Sequence, residues 1–322
     1  MKRKSEVLVL ILLIAALALY LLFRDRDGTR YELPVPPKME TGKITALAIS
    51  RGGEKGFELL RKEDGWVLLP GDYPADGHKV EVLLAEIAKF DLTALVSESK
   101  NYEPYDLTGD KRIRVAVREG DREAFRFDLG KAASTYRHTF VRVGEDPGVY
   151  HARGNLRSRF DRSAADLRDK GVLSFNRDEI TEIAFTAAGR TVRWHREEAP
   201  AGEGAAPSGE AKKEGEKKKV RWVSDTGAEA TGDAAARLLE SLSSLACDGY
   251  LEGRKKEEFG EPPYAIRLKG REEYALFLYP GNGEGEERVS AVSSGSPDPF
   301  FLERGRADNL KKTLEALEGG KP

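Results

Sequence analysis

The chain has 322 residues, 39% of them apolar and 34% charged, and its 53 basic and 55 acidic side chains nearly cancel to a net charge of -2. That length accommodates two domains with cores of respectable size, and the balanced charge excludes a global field aimed at nucleic acid or at an acidic substrate. A single cysteine, Cys247, excludes an intrachain disulfide and a cysteine-based metal site; two residues after Leu245, it reads as a small, half-buried residue closing a helix.

A basic tail, 1–6, carries Lys2, Arg3 and Lys4 ahead of an unbroken apolar run of 17 residues, 7–23. As a helix that run spans about 26 Å, which nearly crosses a bilayer. Arg24 and Arg26 can snorkel to supply the missing length, and Tyr20 falls where an interfacial aromatic belongs. A cleaved signal peptide is the competing reading, through the small-x-small pattern Ala16-Leu17-Ala18. Cleavage there would leave 19–23 as a greasy mature terminus, so an uncleaved transmembrane helix is predicted. Three basic residues before the span against two after it place the tail inside and the large domain outside. The expected location is the bacterial inner membrane, single-pass, with the domain facing the periplasm or cell exterior. Residues 24–43, with Pro34, Pro36 and Pro37, read as a stalk.

Alternation then begins. Ile44, Leu47 and Ile49 mark a strand; 56–62 alternates Phe57 and Leu59 with charge; Asp64-Gly65 signals a two-residue hairpin; and 66–69 returns. Asp76, after Tyr73-Pro74-Ala75, is placed to cap a helix whose stripe is Val80, Leu83, Leu84 and Ile87. Ile113, Val115 and Val117 face Phe125, Phe127 and Leu129 in a hairpin, and 139–143 pairs with 149–152 across the turn 145–148. Residues 155–170 read as one helix, with Leu156, Phe160 and Leu167 inward and Gly171 as its stop.

The chain then starts again. Residues 180–186 echo 44–50, and Trp222-Val223 echoes Trp66-Val67. Leu238, Leu239, Leu242 and Leu245 each lie 155 residues beyond Leu83, Leu84, Ile87 and Phe90. Such register defines an internal repeat. Between a strand at 191–195 and another at 220–224, residues 197–219 contain no large apolar side chain and read as a disordered insertion. A helix 233–246, a hairpin 265–268 with 274–279, a strand 288–292, Phe300-Phe301-Leu302 and a closing helix 307–317 follow. The predicted class is α+β: an N-terminal transmembrane helix, then two tandem repeats of antiparallel β-hairpins packed with helices, 44–172 and 173–318.

No chemistry declares itself. His78, His138, His151 and His195 have no metal-ligand spacing, no glycine-rich phosphate loop follows a strand, and Ser293-Ser294-Gly295-Ser296 lacks the glycines of a nucleophile elbow. No catalytic, cofactor-binding or metal residue is therefore nominated, and no enzyme is expected. Residues 111–170 hold 15 basic and 9 acidic groups, an excess that solvated strand faces mostly explain. Its functional reading is contact with anionic headgroups, a polyanionic glycan or an acidic partner. Tyr73, Tyr102, Tyr105, Tyr136 and Tyr150 are candidates for stacking on sugars.

The order of features resembles a known family: a basic tail and one span, a Trp-containing hairpin, Tyr73-Pro74-Ala75-Asp76, Tyr105-x-Leu107, Thr139-Phe140-Val141-Arg142, Val149-Tyr150 and Leu167-Arg168-Asp169-Lys170. Together they resemble the bacterial "domain of unknown function 4340" proteins over nearly the whole chain. Asp106, where glycine is usual, and the insertion depart from the pattern. Members are commonly encoded beside the permease and substrate-binding-like subunits of gliding-motility-type ABC transporters. The resemblance therefore implies an extracytoplasmic accessory or scaffold subunit acting by protein-protein interaction, with no catalytic residue to carry over; no nucleic-acid partner is expected, since the anchor places the basic surface away from one. Tyr73, Asp76, Tyr105, Tyr136, Arg142 and Arg168 form the candidate interaction surface, and an envelope glycan- or polymer-binding module is the alternative.

Overall fold

The computed structural model describes residues 13–16, 18, 32–52, 55–198, 220–230, 233–280 and 287–317. The chain divides into two compact units, Met1–Arg168 and Asp169–Pro322.

In the first unit, β1 (Ala46–Arg51), β2 (Phe57–Lys62), β3 (Gly65–Leu69) and the short β4 (Tyr73–Pro74) form a meander. Helix α1 (Gly77–Ala88) follows, then β5 (Leu92–Ser97), a second meander β6 (Ile113–Glu119), β7 (Arg122–Ala132), β8 (His138–Val143) and β9 (Val149–Arg153), and the short helices α2 (Leu156–Phe160) and α3 (Ala164–Leu167). The antiparallel sheet runs β4-β3-β2-β1-β6-β7-β8-β9-β5. Alternation along β6, β7 and β8 turns Val115, Val117, Phe127, Leu129 and Val141 inward, where the apolar stripe of α1 and Leu156 and Phe160 of α2 cover them.

The second unit opens with β10 (Gly171–Ser174), β11 (Glu182–Ala187), β12 (Arg190–Glu198), β13 (Val220–Ser224) and α4 (Ala234–Leu242). It continues through β14 (Ser244–Ala246), β15 (Gly249–Tyr250), β16 (Tyr264–Lys269), β17 (Glu273–Pro280), β18 (Arg288–Ser293), β19 (Phe300–Glu303) and α5 (Arg304–Leu317). Its main sheet runs β13-β12-β11-β16-β17-β18-β19-β15, beside a small β10-β14 pair. Apart from β4 in one unit and the β10-β14 pair in the other, the wiring is the same: a three-stranded meander, a helix, a strand sent to the far edge, a four-stranded meander and a closing helix. Trp194, Leu238, Leu242, Phe300, Leu310 and Leu314 fill a core of its own.

Several expectations are corrected. Among the described residues strand makes up 42% and helix 22%, so the fold is mainly antiparallel sheet and not the α+β class expected. Among the described residues no helix is long and apolar enough to cross a membrane; of the run 7–23 only 13–16 and 18 are described, and the rest of that expectation lies outside the described residues. The helix expected over 155–170 breaks after Phe160, because Asp161 turns to ψ 64 and Ser163 starts a new helix with a reciprocal capping box to Asp166. The helix expected over 233–246 stops at Leu242, and Leu245 instead pairs with Leu173 between β14 and β10. The Asp64-Gly65 turn shifts by one residue: Gly65, at φ 131, opposes Lys62 as the first residue of β3. Glu197 and Glu198, assigned to the insertion, extend β12 opposite Arg221 and Val220; the disorder expected for 199–219 falls outside the described residues.

Candidate functional site

The alternation that buries Val115, Phe127 and Val141 under α1 and α2 sends their neighbours to the opposite face of the first sheet. Ser50, Arg114, Asp128 and Arg142 stand directly opposite one another on β1, β6, β7 and β8, making one polar row across four strands. Arg114 Nε donates to Asp128 Oδ1 at 2.9 Å and its Nη2 to Oδ2 at 3.4 Å, and Arg112 Nη1 donates to Oδ2 at 3.2 Å. Arg142 Nη1 sits at the limit of an ion pair, 4.0 Å from the same oxygen. The hydrogen bond to Asp128 raises the Arg114 guanidinium above its ordinary value. Three guanidinium groups thus share one carboxylate that is only 6% exposed.

Arg142 is the least satisfied of them. Its guanidinium carbon lies 4.3 Å from the centroid of the Tyr102 ring, and its Nη2 reaches the Asp146 carbonyl at 3.4 Å. Its Nε is buried with no hydrogen-bond partner. Flanking cations are matched separately: Arg126 pairs with Glu145 and Glu123, and Arg118 with Glu58. Asp128 is thus the one carboxylate within ion-pair distance of Arg112, Arg114 and Arg142 among the described residues, with Glu145 and Glu123 acting on Arg114 from further off.

The next row is aromatic. Phe140 on β8 faces His151 on β9, with ring centroids 4.8 Å apart; Tyr105 packs on Phe140 at 4.9 Å, and His138 stacks on His151 at 5.4 Å. Tyr105 rides on a single helical turn, Glu103–Tyr105, laid so tightly across β7 that a Cβ on Gly130 would lie 2.1 Å from its carbonyl oxygen. Burial, and then the charge of His138, lower the pKa of His151, whose Nε2 is buried without a hydrogen-bond partner.

The family model described as Domain of unknown function (DUF4340) matches residues 66–263. The chain belongs to the DUF4340 family. No curated protein and no solved structure matches it. The DUF4340 match takes in the polar row on β6, β7 and β8, the aromatic row and the turn at Glu103–Tyr105. Asp106 caps that turn in the left-handed region, φ 56 and ψ 34, where glycine is at ease and aspartate among the better tolerated alternatives.

The nominated residues fall into three places. Arg142 and Tyr105 belong to the polar and aromatic rows. Tyr73, Asp76 and Arg168 gather where β4 meets α1: the Arg168 guanidinium carbon is 3.8 Å from the Tyr73 ring centroid, Ala75 bridges Arg168, and the Asp76 amide donates to the Leu167 carbonyl at 2.8 Å. Asp76 caps α1, accepting from the Lys79 amide at 3.2 Å. Burial pushes its carboxyl up, but the hydrogen bonds and charge of Lys79 outweigh burial and leave it below its ordinary value. Tyr136 stands apart, 71% exposed on the β7–β8 turn. Arg112, Arg114 and Asp128 were not nominated. Laying the two hairpins in register would have found Arg114 and Asp128, because it aligns them with Arg142. Among the described residues no group of three His, Cys, Asp or Glu is placed to hold a metal ion.

Proposed function

We propose that this DUF4340 protein is a non-catalytic accessory or scaffold subunit that works through protein contacts on the outer side of the bacterial cytoplasmic membrane. Its partners are the permease or substrate-binding-like subunits of a gliding-motility-like ABC transporter, or another envelope complex. The observation that carries the interaction role is the face of the first sheet turned away from α1 and α2, where an arginine row adjoins Tyr102, Tyr105 and Phe140. Arginine and aromatic residues are the side chains most enriched in the energetic centres of protein interfaces. The transporter assignment rests on the order of motifs that resembles the family.

The glycan alternative has less support. A sugar needs an open ring face, and Tyr73 lies under Arg168, Tyr102 under Arg142 and Tyr105 against Phe140. Tyr150 is 6% exposed, with its phenol pushed up to about 12 by burial and by Asp146. Of the five, Tyr136 at 71% and Tyr73 at 36% are the exposed ones, and Tyr73 has one ring face under Arg168.

The test is in-cell photo-crosslinking from Ser50, at the end of the polar row, followed by purification of the full chain and mass spectrometry of the adducts. Adducts with transporter subunits are expected. A monodisperse monomer with no adduct would overturn the reading.

A further inference from the structure

We infer that the row of Arg112, Arg114 and Arg142 is a receptor for a carboxylate side chain presented by an acidic polypeptide segment of the partner; this deepens, and rests on, the reading of that face as the docking face.

The fold itself does not need the charges. Residues 44–50 and 180–186 are equivalent in the repeat, so the row that begins at Ser50 corresponds to the one that begins at Thr186. In the second unit that row runs Thr186, Ala265, Phe277 and Val292 on β11, β16, β17 and β18. The same wiring is thus closed with Ala265 and Val292 buried where the first unit places two arginines. The segment before β16 lies over this apolar face: Phe259 packs on Tyr279 at 4.9 Å, and Lys256 Nζ donates to the Ser293 carbonyl at 2.7 Å. Replacing a buried ionic cluster by apolar groups is commonly neutral or stabilising. The second unit shows that this wiring closes without an ionic row.

The row is also short of negative charge. One carboxylate cannot satisfy three guanidinium groups, and Arg142 shows the deficit in its 4.0 Å separation and its unbonded Nε. The Arg142 guanidinium lies over the Tyr102 ring, which restrains it against an aromatic face, and a guanidinium fork favours a planar carboxylate. Asp128 holds Arg112 and Arg114 in place and, being shared, leaves donors to spare. The geometry favours a polypeptide over a lipid surface. The cations are arginines held along a sheet face by Asp128 and Tyr102, whereas polybasic membrane contacts rely on flexible side chains reaching toward headgroups.

Fluorescence anisotropy of the full chain with labelled decaglutamate, and with decaglutamine as the uncharged match, tests this. Decaglutamate is expected to bind and decaglutamine not. Arg114→Gln and Arg142→Gln should each weaken binding roughly tenfold. Arg142→Lys should weaken it several-fold, because it keeps the charge and loses the fork. Asp128→Asn should tighten it, whereas a purely structural row would give no gain. Arg237→Gln, on the exposed side of α4, should bind as the parent does. Near-ultraviolet circular dichroism confirms that each variant is folded. Equal binding of decaglutamine, undiminished binding by folded Arg142→Gln, or displacement of the peptide by phosphatidylglycerol vesicles would overturn the proposal. Peptide binding without transporter adducts at Ser50 would sink the accessory-subunit reading alone. Transporter adducts with no peptide binding would sink the carboxylate receptor alone.

Discussion

At Gly130 the backbone of β7 passes under the Tyr105 carbonyl with no room for a methyl group. Gly130→Ala must push the Glu103–Tyr105 turn off the sheet, and a cost of about 2 kcal/mol is expected from urea denaturation. His151 makes the first unit sensitive to acid. Its folded-state pKa lies below the ordinary 6.5, so the unfolded chain takes up the proton first as pH falls. The stability it preserves is full above that range and is lost as pH drops through 6.5 toward the folded value. The urea midpoint should therefore decline on acidification from about pH 7 to about pH 5, and His151→Phe should flatten the decline. Asp76→Ala should cost about 1 kcal/mol by removing the cap of α1. The cap was legible in the sequence because it depends on neighbours along the chain. The Arg114, Asp128 and Arg142 row was not, since these residues lie 14 positions apart and meet only once strand register is fixed.

Hairpins were read where alternation is strong, as in β6 and β7, and missed where pairing involves only a few residues, as in β4, β14 and β15. Helices misled in the opposite sense. Leu156, Phe160 and Leu167 keep one apolar face and suggest a continuous helix, while Ser163-x-x-Asp166, a start signal in the middle of it, marks the break. Phe160 nevertheless anchors the layer, fully buried with its ring edge-on to Phe127 at 5.8 Å. Phe160→Ala is expected to cost about 3–5 kcal/mol in chemical denaturation. A smaller loss would mean that α2 is peripheral to the core.

The two units keep separate cores with no shared residue. Calorimetry should accordingly resolve two transitions, with Leu83→Ala lowering one and Leu238→Ala the other. A single transition shifted by both would show that the units melt as one. The common displacement of 155 holds within helices for Leu83, Leu84 and Ile87 against Leu238, Leu239 and Leu242, whereas Phe90 lies past the end of α1 and Leu245 lies in β14; the shared strand order is visible only in the sheets. What the sequence did not reveal is how differently the matching faces are dressed, because that depends on pairing partners dozens of residues away.

The closed ends of β12 and β13 carry a practical consequence. Glu198 and Val220 are paired neighbours across the ladder, so anything spliced between them begins and ends about 5 Å apart, as in any tight hairpin. A fluorescent reporter whose own termini lie close together can take the place of residues 199–219, giving a chain that is tagged internally while both of its ends stay native.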